Sequence, residues 1–187
     1  MKAVFVIVVI VAMANAKFGD HYPLCLGMPP LGGDTIPTVK NFDLNKFYGT
    51  WHTQAQVMTR FTAYKCKCAD VEYSAGNGNA ILHNYCPDGT ESIFGTATPQ
   101  NGDNARLSLQ FNVPSIGKYF AKGNYYVTYV EEGKDGKYDW LLSVNPCRDN
   151  VYVITRDAKV DLDKVKSLIN MAKDLGVDIS GTTYRAC

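Results

Sequence analysis

Six cysteines and three histidines are the side chains of this 187-residue chain best suited to chemistry. Cys66, Lys67 and Cys68 form a Cys-x-Cys step, while Cys25, Cys86, Cys147 and Cys187 stand apart from it. Tetrahedral zinc would want further Cys or His beside that step. His21, His52 and His83 are widely scattered, so no metal site is expected. An even cysteine count in an oxidising compartment argues instead for three disulfides. A cysteine nucleophile needs a free thiol beside a base. Six paired cysteines would leave none, and no catalytic residue is expected.

The N-terminus sets the expected compartment. Lys2 gives a short basic region, Ala3 to Met13 an unbroken apolar run, and Ala14-Asn15-Ala16 a small-x-small cleavage site. That is the layout of a secretory signal peptide, and the run is too short to span a bilayer. Residues 1–16 are therefore read as a leader and residues 17–187 as one secreted, extracellular domain. The chain carries 19 basic and 18 acidic side chains, with no basic block. A nucleic-acid partner thus has no electrostatic support, and no membrane span is expected.

The elements that must position these residues are short strands broken by turns. Strand-like runs cover residues 50–57, 66–74, 80–85, 92–98, 106–112, 124–131, 138–144 and 150–155. Between them lie Gly76-Asn77-Gly78-Asn79, Pro87-Asp88-Gly89-Thr90, Gln100-Asn101-Gly102-Asp103 and Gly133-Lys134-Asp135-Gly136-Lys137. Short connections of this kind favour hairpins. Eight strands joined in sequence with no intervening helix point to an all-β, up-and-down antiparallel barrel. One amphipathic helix follows, capped by Asp161 and stopped at Gly176, with Leu162, Val165, Leu168, Ile169, Ala172 and Leu175 as its apolar stripe. It should pack outside the barrel.

The run Asn41-Phe42-Asp43-Leu44-Asn45-Lys46-Phe47-Tyr48-Gly49-Thr50-Trp51 resembles the lipocalin family, whose Gly-x-Trp element opens the first strand after a short 3₁₀ turn. The likeness continues through Lys65-Cys66 to Tyr73, Gly95-Thr96-Ala97-Thr98-Pro99 and Tyr152-Val153-Ile154-Thr155-Arg156. It lies nearest the branch holding apolipoprotein D, insecticyanin and the bilin-binding proteins. The resemblance implies an eight-stranded barrel with one C-terminal α-helix. Gly49, Trp51 and Arg156 would be its structural signature, Trp51 plugging one end and Arg156 lying on its ring. It also implies a Cys66–Cys187 bridge to the C-terminal tail and a Cys25–Cys147 bridge to the N-terminal segment. The family's Thr-Asp-Tyr element is replaced here by Val127-Thr128-Tyr129-Val130-Glu131.

The remaining pair, Cys68 and Cys86, follows from spacing. A turn at Asn77-Gly78 sets Cys68 opposite position 87, and a bulge or longer loop would bring it to Cys86. Bridges to an outer tail and charges facing water place Cys66, Cys68, Asp70, Glu72, Leu82, Asn84 and Cys86 outside. Ala69, Val71, Tyr73, Ile81, His83 and Tyr85 would then face in. Elsewhere Trp51, Thr53 and Ala55 are expected inside and His52, Gln54 and Gln56 outside. Leu107, Leu109, Phe111, Tyr138, Trp140, Leu142, Tyr152 and Ile154 complete the inner set. Both faces of residues 124–130 are apolar or aromatic, so that strand stays open, as does 92–98.

The expected ligand-binding wall is therefore Ala55, Ala69, Val71, Tyr73, His83, Tyr85, Leu109, Phe111, Tyr138, Trp140 and Tyr152. Small residues leave room, and tyrosines and His83 add polar contacts to an apolar wall. Loops 58–64 and 113–123, with aromatic and apolar residues, should ring the open end. No cofactor is required. The resemblance implies a carrier or pigment protein for one small hydrophobic molecule, a biliverdin-like bilin first through the insecticyanin and bilin-binding branch, with a carotenoid, retinoid or fatty acid as the alternatives. Two other readings are a loop-mediated defensive or assembly protein, working as a homo-oligomer, and a calyx isomerase.

Overall fold

The computed structural model describes residues 36–57, 66, 68–112 and 122–187. The expected leader, Cys25 and the two long rim loops lie outside them. A lead-in from Ile36 reaches a one-turn helix α1 (Leu44–Phe47), where a 3₁₀ turn was expected. Eight strands follow: β1 (Gly49–Val57), β2 (Asp70–Ala75), β3 (Ala80–Tyr85), β4 (Ser92–Gln100), β5 (Asp103–Phe111), β6 (Lys122–Glu132), β7 (Tyr138–Val144) and β8 (Val151–Thr155). Helix α2 (Leu162–Asp174) and a short strand β9 (Thr182–Tyr184) complete the chain.

Each strand pairs antiparallel with the next, and β1 pairs with both β8 and β2, which closes the barrel. The turns do what their residues predict. At the β4–β5 turn Asn101 and Gly102 have φ of 51° and 76°, the doubly left-handed backbone of a two-residue hairpin. At the β2–β3 turn the Gly76 N–H donates to Asn79 O at 2.9 Å, and Asp70 faces Tyr85. That is the register read from Asn77-Gly78.

The structure corrects the faces built on that register. Residues directly opposite in an antiparallel pair share a face. Val71 faces Asn84, Tyr73 faces Leu82, and Glu72 faces His83, so odd-numbered β2 residues go with even-numbered β3 residues. Leu82 is 1% exposed and Ile81 42%. His83 and Tyr85 therefore lie outside, where the His83 ring stacks on Phe94 at 4.0 Å.

Strand β1 hides a second change of face. Its pairing with β8 slips between Thr53 and Ala55, a bulge at Gln54. Before it, Thr53 faces the inner residue Ile154; after it, Ala55 faces Val153 outside and Gln56 faces Tyr152 inside. The bulged Gln54 side chain is used rather than wasted. Its Nε2 donates to Thr155 Oγ1 and to the carbonyls of Asp157 and Ala158 at 2.8–3.2 Å, which pins the turn leading to α2.

Two apolar cores result. Within the barrel, Trp51, Val71, Tyr73, Leu82, Leu107, Tyr125, Val127, Leu141 and Ile154 meet, with Phe42, Phe47 and Tyr138 at the closed end. Outside, Ala55, Tyr126, Leu142, Val144, Val151 and Val153 meet Val165, Leu168, Ile169 and Ala172 of α2. Asp161 caps that helix by accepting from the Asp163 N–H, and Gly176 with φ 86° follows its end. Leu162 of the expected stripe stays half exposed.

The disulfides also differ from expectation. Cys66 bonds Cys86 and Cys68 bonds Cys187, in place of Cys66–Cys187 and Cys68–Cys86. Strand β2 begins only at Asp70, because β9 takes over the same edge of β1 beyond His52. The tail then ends where β1 and β2 part: the Arg185 N–H donates to Gln54 O, and its Nη1 meets Asp70 Oδ1 at 2.8 Å and Ala69 O at 3.2 Å. Cys187 thus arrives beside Cys68, and Cys66 is left for Cys86. Cys147 is disulfide-bonded as well.

Trypsin cuts at Lys67 and Arg185 and so separates the two pairings. Under non-reducing conditions we expect one cluster of three peptides, 66–67 and 186–187 both joined to 68–106. A direct 66–67/186–187 conjugate would contradict the structure.

Candidate functional site

The closed end is a plug built on Trp51. Gly49 has φ 115°, and a Cβ there would lie 3.0 Å from Arg156 Nη1, so the glycine two residues before the tryptophan is needed on both counts. The Trp51 ring is wholly buried, and its Nε1 donates to Phe47 O at 2.8 Å. The Arg156 guanidinium lies 3.9 Å from the ring centroid. Its Nε donates to Tyr138 O, its Nη1 to Thr50 O, and its Nη2 to the Lys46, Phe47 and Tyr48 carbonyls, all at 2.8–3.1 Å. A cation at the carbonyl end of α1 is favourable, and the planar fork suits several acceptors at once. Burial draws the Arg156 pKa down, with Asp135 and Asp139 opposing it.

Above the plug, the wall can be read from the strand registers. Val71, Tyr73, Leu109, Phe111 and Tyr152 face in as expected. Tyr138 is buried lower down, stacked on Phe42 at 5.2 Å, with its Oη accepting from the Asp43 N–H; it belongs to the plug. Ala69 precedes β2 and serves the seam through its carbonyl, which accepts from the Thr53 N–H.

Ala55 and Trp140 are corrected to the outer face, under α2. Lys164 sits 4.2 Å from the Trp140 ring centroid. Alternation fails on β7 because α2 buries its outer face too, so Leu141 and Ser143, not Trp140 and Leu142, look inward. Tyr125 and Val127, on the strand left open, also point in. The pairing rule alone would have found Leu82; nothing in the alternation marks Tyr125 or Ser143.

Packing changes along the barrel axis. Near the plug Trp51, Ala80, Ala105 and Leu107 are fully sealed. Toward the other end the inward residues Gln56, Asn84, Ile93, Leu109, Phe111 and Tyr152 are only partly buried. The interior is sealed at the plug end, and its lining is partly exposed toward the other.

The inner wall has a polar spot. Burial pushes the Tyr73 phenol well above its ordinary pKa, with Tyr125 and Tyr152 nearby adding to the effect. Burial raises Tyr125 as well, opposed by the neighbouring Ser143 and Tyr73 hydroxyls. Unfolded tyrosines ionise near pH 10, so between there and the higher folded values the native state holds protons that the unfolded state releases. Stability from these groups is complete below pH 10 and is lost as pH rises beyond it, by about 1 kcal/mol per group per pH unit. Urea midpoints from pH 8 to 11 should fall less steeply in a Tyr73→Phe/Tyr125→Phe variant.

Residues 42–186 match the lipocalin-like domain family. The chain belongs to the lipocalin family. This lipocalin is 26% identical over 151 residues to temperature-induced lipocalin-1 of Arabidopsis thaliana, covering 78% of this chain and 79% of that one. It is 27% identical over 153 residues to apolipoprotein D of Cavia porcellus, covering 79% and 78%. The solved structure of insecticyanin from the tobacco hornworm Manduca sexta superposes with a TM-score of 0.54 at 15% identity, covering 85% of this chain and 87% of that one. That likeness is one of fold.

Proposed function

We propose that this lipocalin is a secreted, extracellular carrier or pigment protein that holds one small hydrophobic molecule in its calyx. The observation that carries this reading is the gradient of packing inside the barrel. Trp51 and its neighbours are sealed, while Leu109, Phe111 and Tyr152 face inward yet remain partly exposed. An apolar concavity with a few polar groups is the ordinary form of a small-ligand site. The disulfides fit an oxidising compartment. A bilin, carotenoid, retinoid or fatty acid would each find an apolar wall, and binding needs no catalytic group or metal.

Retinol, whose absorption overlaps tryptophan emission, serves as a probe. Leu109 faces Ala97 on the inner wall, so Leu109→Trp should fill the hollow and weaken retinol binding more than tenfold. His83→Ala, on the outer face, should leave it within about twofold. Melting temperatures close to the parent's are expected for both variants and serve as the check that they fold. Failure of retinol to bind, together with solvent extracts of the native protein that contain no apolar compound, would end the carrier reading.

A further inference from the structure

Two neighbouring hydroxyls inside the barrel, those of Tyr125 and Ser143, lack a well-formed hydrogen bond. Tyr125 faces the inner residue Leu107 across β5 and β6, and Ser143 sits between Val127 and Tyr152. Their residues are 5% and 1% exposed. The Tyr125 Oη and Ser143 Oγ are both shut off from solvent, and neither has a partner at good hydrogen-bond geometry, the Ser143 and Tyr73 hydroxyls being only loosely placed beside Tyr125. They lie close enough to influence one another, and the Tyr125 and Tyr152 rings stack at 6.1 Å. An unmet buried hydroxyl is destabilising, and natural cores rarely keep one without a use.

The surrounding wall is neutral. Among the described residues, the inner face above Trp51 carries no charged side chain. Arg106 turns outward over the Tyr126 ring at 5.1 Å, and Arg156 lies at the plug. A carboxylate or ammonium at this depth would meet no counter-charge among the described residues and would lose its hydration. A hydrocarbon would leave the hydroxyls with only their loose contact to one another. A neutral oxygen would satisfy them, because Ser and Tyr hydroxyls each donate and accept.

We propose that Tyr125 and Ser143 form a polar subsite for one neutral oxygen function, a ketone, aldehyde or hydroxyl, of an otherwise hydrophobic ligand. This rests on the carrier reading and narrows it: the cargo is an oxygenated neutral hydrophobe, seated with its oxygen inside rather than at the mouth.

Four retinoids with one polyene skeleton test it on the purified protein: retinal, retinol, retinoic acid and axerophthene, the hydrocarbon with a methyl in place of the alcohol. Tryptophan quenching at pH 7.5 should show retinal and retinol binding at least tenfold tighter than the other two. Tyr125→Phe and Ser143→Ala should each shrink that preference by about three- to tenfold without weakening axerophthene. The unliganded variants should melt at the same temperature as the parent or higher, since an unmet hydroxyl has been removed. Equal affinity for all four, or variants that keep the parent's ranking, would overturn the subsite while leaving the carrier standing. Absence of binding by every retinoid would count against both.

Discussion

Arg156→Ala should lower folding stability by about 3–5 kcal/mol, read as a shift of the urea midpoint at constant slope. The loss has several parts. Five backbone carbonyls, those of Lys46, Phe47, Tyr48, Thr50 and Tyr138, lose a charged donor. The Trp51 face loses a cation at 3.9 Å, an interaction of roughly 1 kcal/mol in a partly desolvated setting. Helix α1 loses the positive charge at its carbonyl end, which one turn of helix cannot replace from within. Arg156→Lys should recover less than half, because an ammonium cannot reach acceptors on three sides at once. A cost below about 1 kcal/mol for the alanine variant would show that solvent replaces the clamp.

Removing the Cys68–Cys187 bridge by paired alanines is expected to cost about 3 kcal/mol. The bond closes 119 residues, for which chain entropy alone gives roughly 4–5 kcal/mol, and the other bridges already constrain part of that loop. The Cys66–Cys86 bond closes 20 residues, so the matching alanine pair there should cost about 1–2 kcal/mol less. Alanine at both ends prevents exchange between the two bonds. Hydrogen exchange supplies a local readout. The Arg185 amide, bonded to Gln54 O, should lose protection in the tail variant well before β3 and β4 do.

What could be read from the sequence follows a physical line. Turns were legible because Asn-Gly and Asp-Gly carry their backbone conformation with them, and the β2–β3 register came directly from Asn77-Gly78. The cap at Asp161 and the stop at Gly176 were equally local. Faces were harder. On β3 the register was right while the face was reversed, since paired positions share a side and Leu82, not His83, lies opposite Tyr73. On β7 and β8 both faces are buried, one by the barrel and one by α2, so alternation in polarity carries no information there. The bulge at Gln54 left no mark beyond a glutamine among alternating residues. The tail strand Thr182–Tyr184 is too short to announce itself, and the pairing of Cys68 with Cys187 depends on it.

The outer core under α2 has an implication for how such a protein changes over generations. Strands β1, β7 and β8 are held from behind by Val165, Leu168, Ile169 and Ala172, and the plug holds them from below. The partly exposed inner residues Leu109, Phe111 and Tyr152 belong to the other core, on the opposite face of the sheet. If the proposed carrier role holds, that lining is free to drift toward a new cargo while the frame stays folded. Selection on what is bound and selection on what keeps the frame intact act on opposite faces of the same three strands.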